Sequence, residues 1–307
     1  MRFLPPGIRA GRTGTREGRG IDRLPKTRGD AKRARGLTMG WRKHVSPGLP
    51  PDLARRLPSG YEVIGDIAVI SLPDELRDYA HSIASAILAR HGNVRTVLDR
   101  RPIPRGDTRV PEVRVIAGTG TTTTCREFGY SYRLDLARVF YSSRLASERQ
   151  RIAGLVRPGE EVLVPFAGVG PFVVPIAARG ARVTAIENNP ASVGFLRENL
   201  RRNRVAARVT VIEGDFYEAA RSLPPGFDRA VIPAPYRRDD ALPVGAGLVK
   251  EGGRIHMYTF GRIGAEDELP GKYEGMGFGI TRVRRCGNVA PGICRYALDL
   301  VRMPHPA

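Results

Sequence analysis

From Glu161 onward the chain alternates short apolar stretches with helical ones, and no other feature limits its fold as much. Glu161 to Val164, Ala181 to Glu187, Val209 to Glu213, Arg229 to Ile232 and Gly253 to Phe260 read as strands, each separated from the next by a helical stretch. Strands that alternate with helices return through crossovers, which predicts a parallel sheet and an α/β architecture. Gly279 to Arg284 and Ile293 to Met303 suit an antiparallel pair that closes the sheet.

The chain before Tyr141 has a different pattern. Tyr61 to Ile70 alternates apolar residues about Gly65-Asp66, which predicts two short strands and a turn. Asp74 to Arg90 places Leu76, Tyr79, Ile83, Ile87 and Leu88 at helical spacing, and Val94 to Leu98 follows as a strand. Glu112 to Ile116, Thr121 to Glu127 and Tyr132 to Phe140 read as further strands, the threonine run suiting an exposed edge. These elements predict a small α+β platform with antiparallel strands. Helix Ala146 to Leu155 and the turn Arg157-Pro158-Gly159 lead out of it. The expected division is a basic tail over 1–44, a platform over 45–144 and a Rossmann-like unit over 145–307.

Charge narrows the partners. Fifty Lys and Arg face 31 Asp and Glu, a net charge of +19, and such an excess favours a polyanion through counterion release. Residues 1–44 hold 13 of the basic residues and 3 acids, with few apolar residues and many glycines, a composition that favours disorder. A second reading is that translation starts at Met39, which would make the tail an artefact. No stretch approaches the ~20 apolar residues of a membrane span, and no signal-peptide pattern is present. Cys125, Cys286 and Cys294 lack metal-ligand spacing and fit reduced thiols in a cytoplasm. A monomeric cytoplasmic protein that binds nucleic acid, with no membrane contact and no metal, is expected.

Three strand ends carry candidate nucleotide contacts. Gly168-Val169-Gly170 follows one strand and precedes a helix, where missing side chains let backbone approach a ligand. Glycine there also serves an ordinary strand-to-helix turn. Glu187 ends the next strand 19 residues after Gly168, where a carboxylate can accept both ribose hydroxyls; a solvated strand-end acid is the alternative. Asp215 follows the third strand and can receive an adenine amine or cap the helix starting at Phe216. In series, the three occupy the carboxyl edge of the sheet, where open α/β sheets bind ligands. A nicotinamide enzyme would need a third glycine where Val173 stands, so the order resembles class I methyltransferases.

Four stretches, in order, resemble the archaeal and eukaryotic tRNA guanine-37 N1-methyltransferase family. They are Tyr61-Glu62-Val63-Ile64-Gly65-Asp66-Ile67-Ala68-Val69, Ser143-Arg144-Leu145-Ala146-Ser147-Glu148-Arg149, Phe166 to Phe172, and Gly253-Arg254-Ile255-His256-Met257-Tyr258-Thr259-Phe260. The resemblance covers roughly residues 50 to 303. A sister group, the wyosine-pathway tRNA aminocarboxypropyl transferase, shares the scaffold and cofactor and also lacks the extra N-terminal domain of many methyltransferases. Val169 to Phe172, Arg144 to Glu148 and Tyr258 to Phe260 lean toward the methyltransferase.

The resemblance implies a class I methyltransferase sheet behind an RNA-binding platform, S-adenosylmethionine as cofactor and tRNA as partner. It places cofactor contacts at Phe166, Gly168, Gly170, Glu187, Asn188, Asp215 and Pro233, and substrate contacts at Arg144, Pro235 and Tyr236. N1 of guanine must lose a proton as it attacks the sulfonium methyl while charge builds at O6, so a base and a cation are required. The family's glutamate falls on Glu148 and its arginine best matches Arg109. Without the resemblance, Glu148 would read as a helix-surface carboxylate paired with Arg144 or Arg151, and Tyr236 as a packed aromatic rather than a stacking face for a flipped base. Two departures stand out. Val164 replaces the aspartate before the glycine loop, and Pro233-Ala234-Pro235 replaces the family's N-x-P. They leave aminocarboxypropyl transfer, and RNA binding without catalysis, as alternatives.

Overall fold

The computed structural model describes residues 40–101, 112–290 and 292–304. The platform is a four-stranded sheet in the order β1 (Glu62–Ile64), β2 (Ile67–Ile70), β3 (Thr96–Arg100), β4 (Val113–Ala117). β1 and β2 form the expected hairpin about Gly65-Asp66. The sheet is mixed rather than antiparallel, because β2 and β3 run parallel. Between them the chain crosses over through a 3-10 turn (Asp74–Tyr79) and a helix (Ala80–Arg90), which returns it to the same end of the sheet.

The tail assigned to 1–44 overshoots. Trp41 is fully buried and shares a core cluster with Val45, Leu49, Ile83 and Ile87, so helix α1 (Arg42–Val45) belongs to the platform, as does α2 (Pro51–Arg56). One indole buries about 150–250 Å², enough to dock this turn despite its basic neighbours. The helix over Ala80–Arg90 is α3.

The threonine strand does not join the platform sheet. β5 (Thr122–Glu127) pairs only with β6 (Tyr130–Asp135) as a separate hairpin, with Thr122 and Thr124 exposed and Thr123 buried. β6 stops at Asp135, short of the expected Phe140, because the Asp135 carboxylate accepts the Ala137 N–H at 3.0 Å and turns the chain. Two asparagines hold the hairpin to the other layer. Asn199 accepts the Arg133 N–H at 2.7 Å and donates to its carbonyl at 3.0 Å; Asn203 does the same at Ser131, at 3.0 and 2.8 Å. Four apart on one helix, these amides meet alternate residues of β6 as a neighbouring strand would.

The second layer is a seven-stranded sheet, in the order β12-β13-β11-β10-β7-β8-β9. Its strands are β7 (Glu161–Pro165), β8 (Arg182–Glu187), β9 (Val209–Glu213), β10 (Phe227–Ile232), β11 (Val249–Arg262), β12 (Phe278–Ala290) and β13 (Ile293–Arg302). β7 to β11 are mutually parallel, and β13 and β12 close the sheet antiparallel, the Rossmann-like arrangement the sequence implies. Helices α4 (Ala146–Leu155), α5 (Val173–Ala178), α6 (Pro190–Arg202), α7 (Phe216–Ser222), α8 (Ala241–Leu248) and α9 (Leu269–Glu274) complete the layer. The asparagine pair lies on α6. One apolar core runs from Ile64 and Leu98 of the platform through Tyr132 and Leu134 to Val164 and Val174, so platform, hairpin and sheet are packed together. Among the described residues no helix is long and apolar enough to cross a membrane.

Candidate active site

The carboxyl ends of β7, β8 and β9 stand side by side, with Pro165 opposite Ile186 and Glu187 opposite Glu213. The chain leaves β7 in a strained turn. Phe166 has φ 53°, a region costly for a residue with a side chain, and Gly168 and Gly170 follow at φ 57° and 91°. A Cβ at Gly170 would lie 2.6 Å from Leu196 Cδ1, so that glycine is needed for packing. At Gly168 a Cβ would meet nothing within 4 Å, so bare backbone faces open space. Glu187 accepts the Gly168 N–H at 2.7 Å and the Asn189 N–H at 2.9 Å, one on each oxygen. These bonds aim the carboxylate at the loop and leave lone pairs on both oxygens. Asp215 caps α7, its Oδ1 accepting from Tyr217 N at 2.8 Å and Glu218 N at 3.3 Å; Oδ2 is left for a ligand. The cap and ligand roles are therefore compatible.

This edge fits a nucleoside: an open cradle at Gly168 and carboxylates at two neighbouring strand ends. Glu187→Ala is expected to weaken S-adenosylmethionine by about ten- to a hundred-fold, from the ~1.5–3 kcal/mol of a hydrogen bond to a charged group. Isothermal titration reads this directly, and unchanged affinity would show that the ribose lies elsewhere.

A cleft opens beside the cradle, walled by Phe166, Gly168, Phe172, Pro233, Tyr258 and Arg295, with Tyr141 and Arg149 also on its lining. Arg149 is buried and donates from Nε and Nη2 to the two oxygens of Glu127, each contact 2.6 Å. Tyr141 donates to the same carboxylate at 2.7 Å.

Glu148 is 2% exposed and is not on the cleft wall. It reaches the cleft through Tyr258, whose hydroxyl donates to Oε2 at 3.3 Å. Arg151 donates to the same oxygen from Nε at 3.0 Å and Nη2 at 2.8 Å, and Arg284 Nη1 lies 3.0 Å from Oε1. The pairing with Arg151 foreseen from helical spacing is thus real, but it is buried rather than on the surface. Burial and the Glu148 charge push the Tyr258 hydroxyl's pKa well above its ordinary value.

Behind Glu148 the polar contacts continue. Arg151 Nη1 meets Asp299 Oδ2 at 2.7 Å, Asp299 Oδ1 meets His256 Nδ1 at 2.7 Å, and His256 Nε2 meets Arg229 Nη1 at 2.6 Å. Arg229 is held in turn by Glu160 at 2.8 Å. A guanidinium only donates, so Nε2 accepts and the proton sits on Nδ1, donated to Asp299. Burial lowers the His256 pKa against the pull of Asp299. Burial also opposes the Asp299 charge, but the hydrogen bonds from His256 and Arg151 outweigh it and hold that carboxyl far below the ordinary range.

Both shifts act in one direction. The unfolded chain takes up the histidine proton near pH 6.5 and the aspartate proton near about 4, each before the folded chain does. Stability from these groups is therefore complete above about pH 6.5 and is lost as pH falls. The melting midpoint is expected to drop between pH 7.5 and 5, and His256→Asn should flatten that first step. A midpoint independent of pH across this range would contradict the neutral imidazole.

The structure brings Phe166, Gly168 and Pro233 onto the cleft, with Glu187 joined to it through Gly168. Gly170 packs behind the loop, and Asn188 is exposed just past β8. Pro235 is half-buried and Tyr236 is 54% exposed beyond Pro233. Arg144 is exposed and donates to the Asn288 carbonyl at 3.3 Å rather than to Glu148. Arg109 lies outside the described residues. Sequence reasoning missed the roles of Tyr258, Arg149 and Arg295. Tyr258 sits in a recognised stretch, whereas Arg295 is one basic residue among fifty.

Comparisons with known proteins identify the family and the fold. The family model described as the TRM5/TYW2 methyltransferase domain matches residues 123–270, and that of the TYW2 N-terminal domain matches 41–121. The chain is 35% identical over 241 residues to the tRNA (guanine(37)-N(1))-methyltransferase Trm5b of Pyrococcus abyssi, spanning 78% of this chain and 69% of that protein. It is 31% identical over 287 residues to the tRNA(Phe) (4-demethylwyosine(37)-C(7)) aminocarboxypropyltransferase of Pyrococcus horikoshii, spanning 87% and 98%. The crystal structure of P. horikoshii TYW2 in complex with MeSAdo superposes with a TM-score of 0.68 at 30% identity, covering 85% of this chain and 97% of that one.

Proposed function

Since the chain belongs to the TRM5/TYW2 methyltransferase family, we propose that it transfers the methyl group of S-adenosylmethionine to N1 of guanosine 37 in tRNA. The observation that carries this reading is a cleft lined by both the Gly168 cradle and Tyr258, whose hydroxyl donates to the buried Glu148. Glu187 and Asp215 would hold the cofactor's sugar and purine, and the cofactor would supply an electrophilic methyl group. The chain's own task is the proton. As N1 takes up the methyl group, with the thioether as leaving group, the N1 proton would pass to the Tyr258 hydroxyl, which would give its own proton to Glu148. Tyr236, exposed with Arg237 5.4 Å above its ring, offers a stacking face to an extruded base.

Unmodified tRNA incubated with methyl-labelled cofactor should yield 1-methylguanosine; label absent from N1 would overturn the reading. Three free cysteines accord with a reducing cytoplasm.

Aminocarboxypropyl transfer is the second reading. It is favoured by the match of residues 41–121 to the TYW2 N-terminal domain and by Pro233, which offers no side-chain hydrogen bond where the methyltransferases carry asparagine. The by-product separates the two: S-adenosylhomocysteine for methyl transfer, methylthioadenosine for the alternative.

A further inference from the structure

The lining of the cleft includes a cation that the proton transfer does not use. Arg295 on β13 lines the cleft, and its guanidinium carbon lies 4.9 Å from the centroid of Phe260. Phe260 meets Tyr236 edge-on, 5.2 Å away at 80°. Arg149 on the same lining is neutralised by Glu127, whereas among the described residues no carboxylate pairs with Arg295. Burial, with Arg144 and Arg149 as like charges nearby, lowers the pKa of its guanidinium. The group stays charged, and among the described residues it has no acceptor.

Sheet order says which ligand this cation meets. β13 and β11 lie on one side of β10, and the cofactor strands β7, β8 and β9 lie on the other. Arg295 therefore belongs to the half of the cleft left to the target nucleotide. We propose that Arg295 reads the guanine itself, donating its two-pronged fork to O6 and N7. This assignment rests on the proposed guanosine substrate and adds what selects it. An arginine fork matches the paired acceptors of guanine, whereas adenine presents a donor in place of O6. Approach from that edge leaves N1 uncovered toward the methyl group. Phe260 restrains the guanidinium, and Tyr236 packs on Phe260. The contact supplies the side-chain donor that Pro233 cannot.

The test uses tRNA transcripts with guanosine or 7-deazaguanosine at position 37, the latter lacking the N7 acceptor. For the wild-type enzyme, 7-deazaguanosine should lower kcat/KM by about ten- to a hundred-fold, the discrimination of a bidentate base contact. Arg295→Ala should lower kcat/KM on guanosine by a similar factor and be indifferent to N7. Arg295→Lys should recover only part, having charge without the fork. Cofactor affinity, unchanged in both variants, reports that they fold. Equal sensitivity to N7 in wild type and Arg295→Ala would overturn the proposal. So would a change confined to cofactor affinity, which would assign Arg295 to the methionine carboxylate.

Should the wild type methylate neither transcript, the proposed function fails separately. Binding of the two transcripts in the presence of S-adenosylhomocysteine then decides the base contact alone. A wild-type preference for guanosine that vanishes in Arg295→Ala sustains it, and no preference ends it.

Discussion

Glu148→Gln is expected to lower the rate of methyl transfer by about 10²–10⁴-fold, the usual contribution of a positioned proton acceptor, while S-adenosylmethionine binds as before. The amide keeps the size and hydrogen bonding of the side chain but cannot take a proton from Tyr258, its route to the cleft at 3.3 Å. Tyr258→Phe should therefore fall in the same range. The double variant should be no slower than the slower single one, because groups acting as a unit are not additive. Single-turnover rates at saturating cofactor measure this. Independent effects that multiply would show that Tyr258 does not connect Glu148 to the substrate, and an unimpaired Glu148→Gln would remove the carboxylate from the mechanism.

Glu127→Ala is expected to destabilise the fold by about 3–5 kcal/mol, the effect of leaving a buried charge without its partner. Arg149 is 3% exposed and its guanidinium takes both short contacts from Glu127. The pair joins β5 to α4, and Tyr141 hangs from the same carboxylate. For a chain of this size the melting midpoint should fall by roughly 6–20 °C. The double change Glu127→Leu with Arg149→Met should recover much of that loss, since an apolar pair of similar volume avoids the unpaired charge. A single variant as stable as the wild type would mean that water reaches Arg149 in the folded state. The pair also shapes the cleft: losing it frees a second cation beside Arg295 and should weaken its selectivity for guanine.

The strand series from Glu161 was legible because each parallel strand is a local apolar run bounded by turn residues, so strand number, strand ends and the cradle at Gly168 follow from neighbours in sequence. Glu187 and Asp215 could be placed for the same reason: a residue that ends a strand of such a sheet must stand at its carboxyl edge. Glu148 was legible only through its surrounding stretch, and its burial was not, because spacing on a helix does not reveal what covers the helix.

Pairings distant in sequence decided the rest. β2 and β3 became parallel through their crossover helix, and β5 left the platform because asparagines on α6 offered its partner strand a second edge. Trp41 joined the core against the bias of its basic surroundings. The Glu127–Arg149 pair, the Tyr258–Glu148 contact and the place of Arg295 on the cleft each depend on which strand lies beside which. Local sequence carries propensity and pattern. The desolvation, charge balance and reach of a polar side chain are set by atoms brought from elsewhere in the chain, and only the folded arrangement determines them.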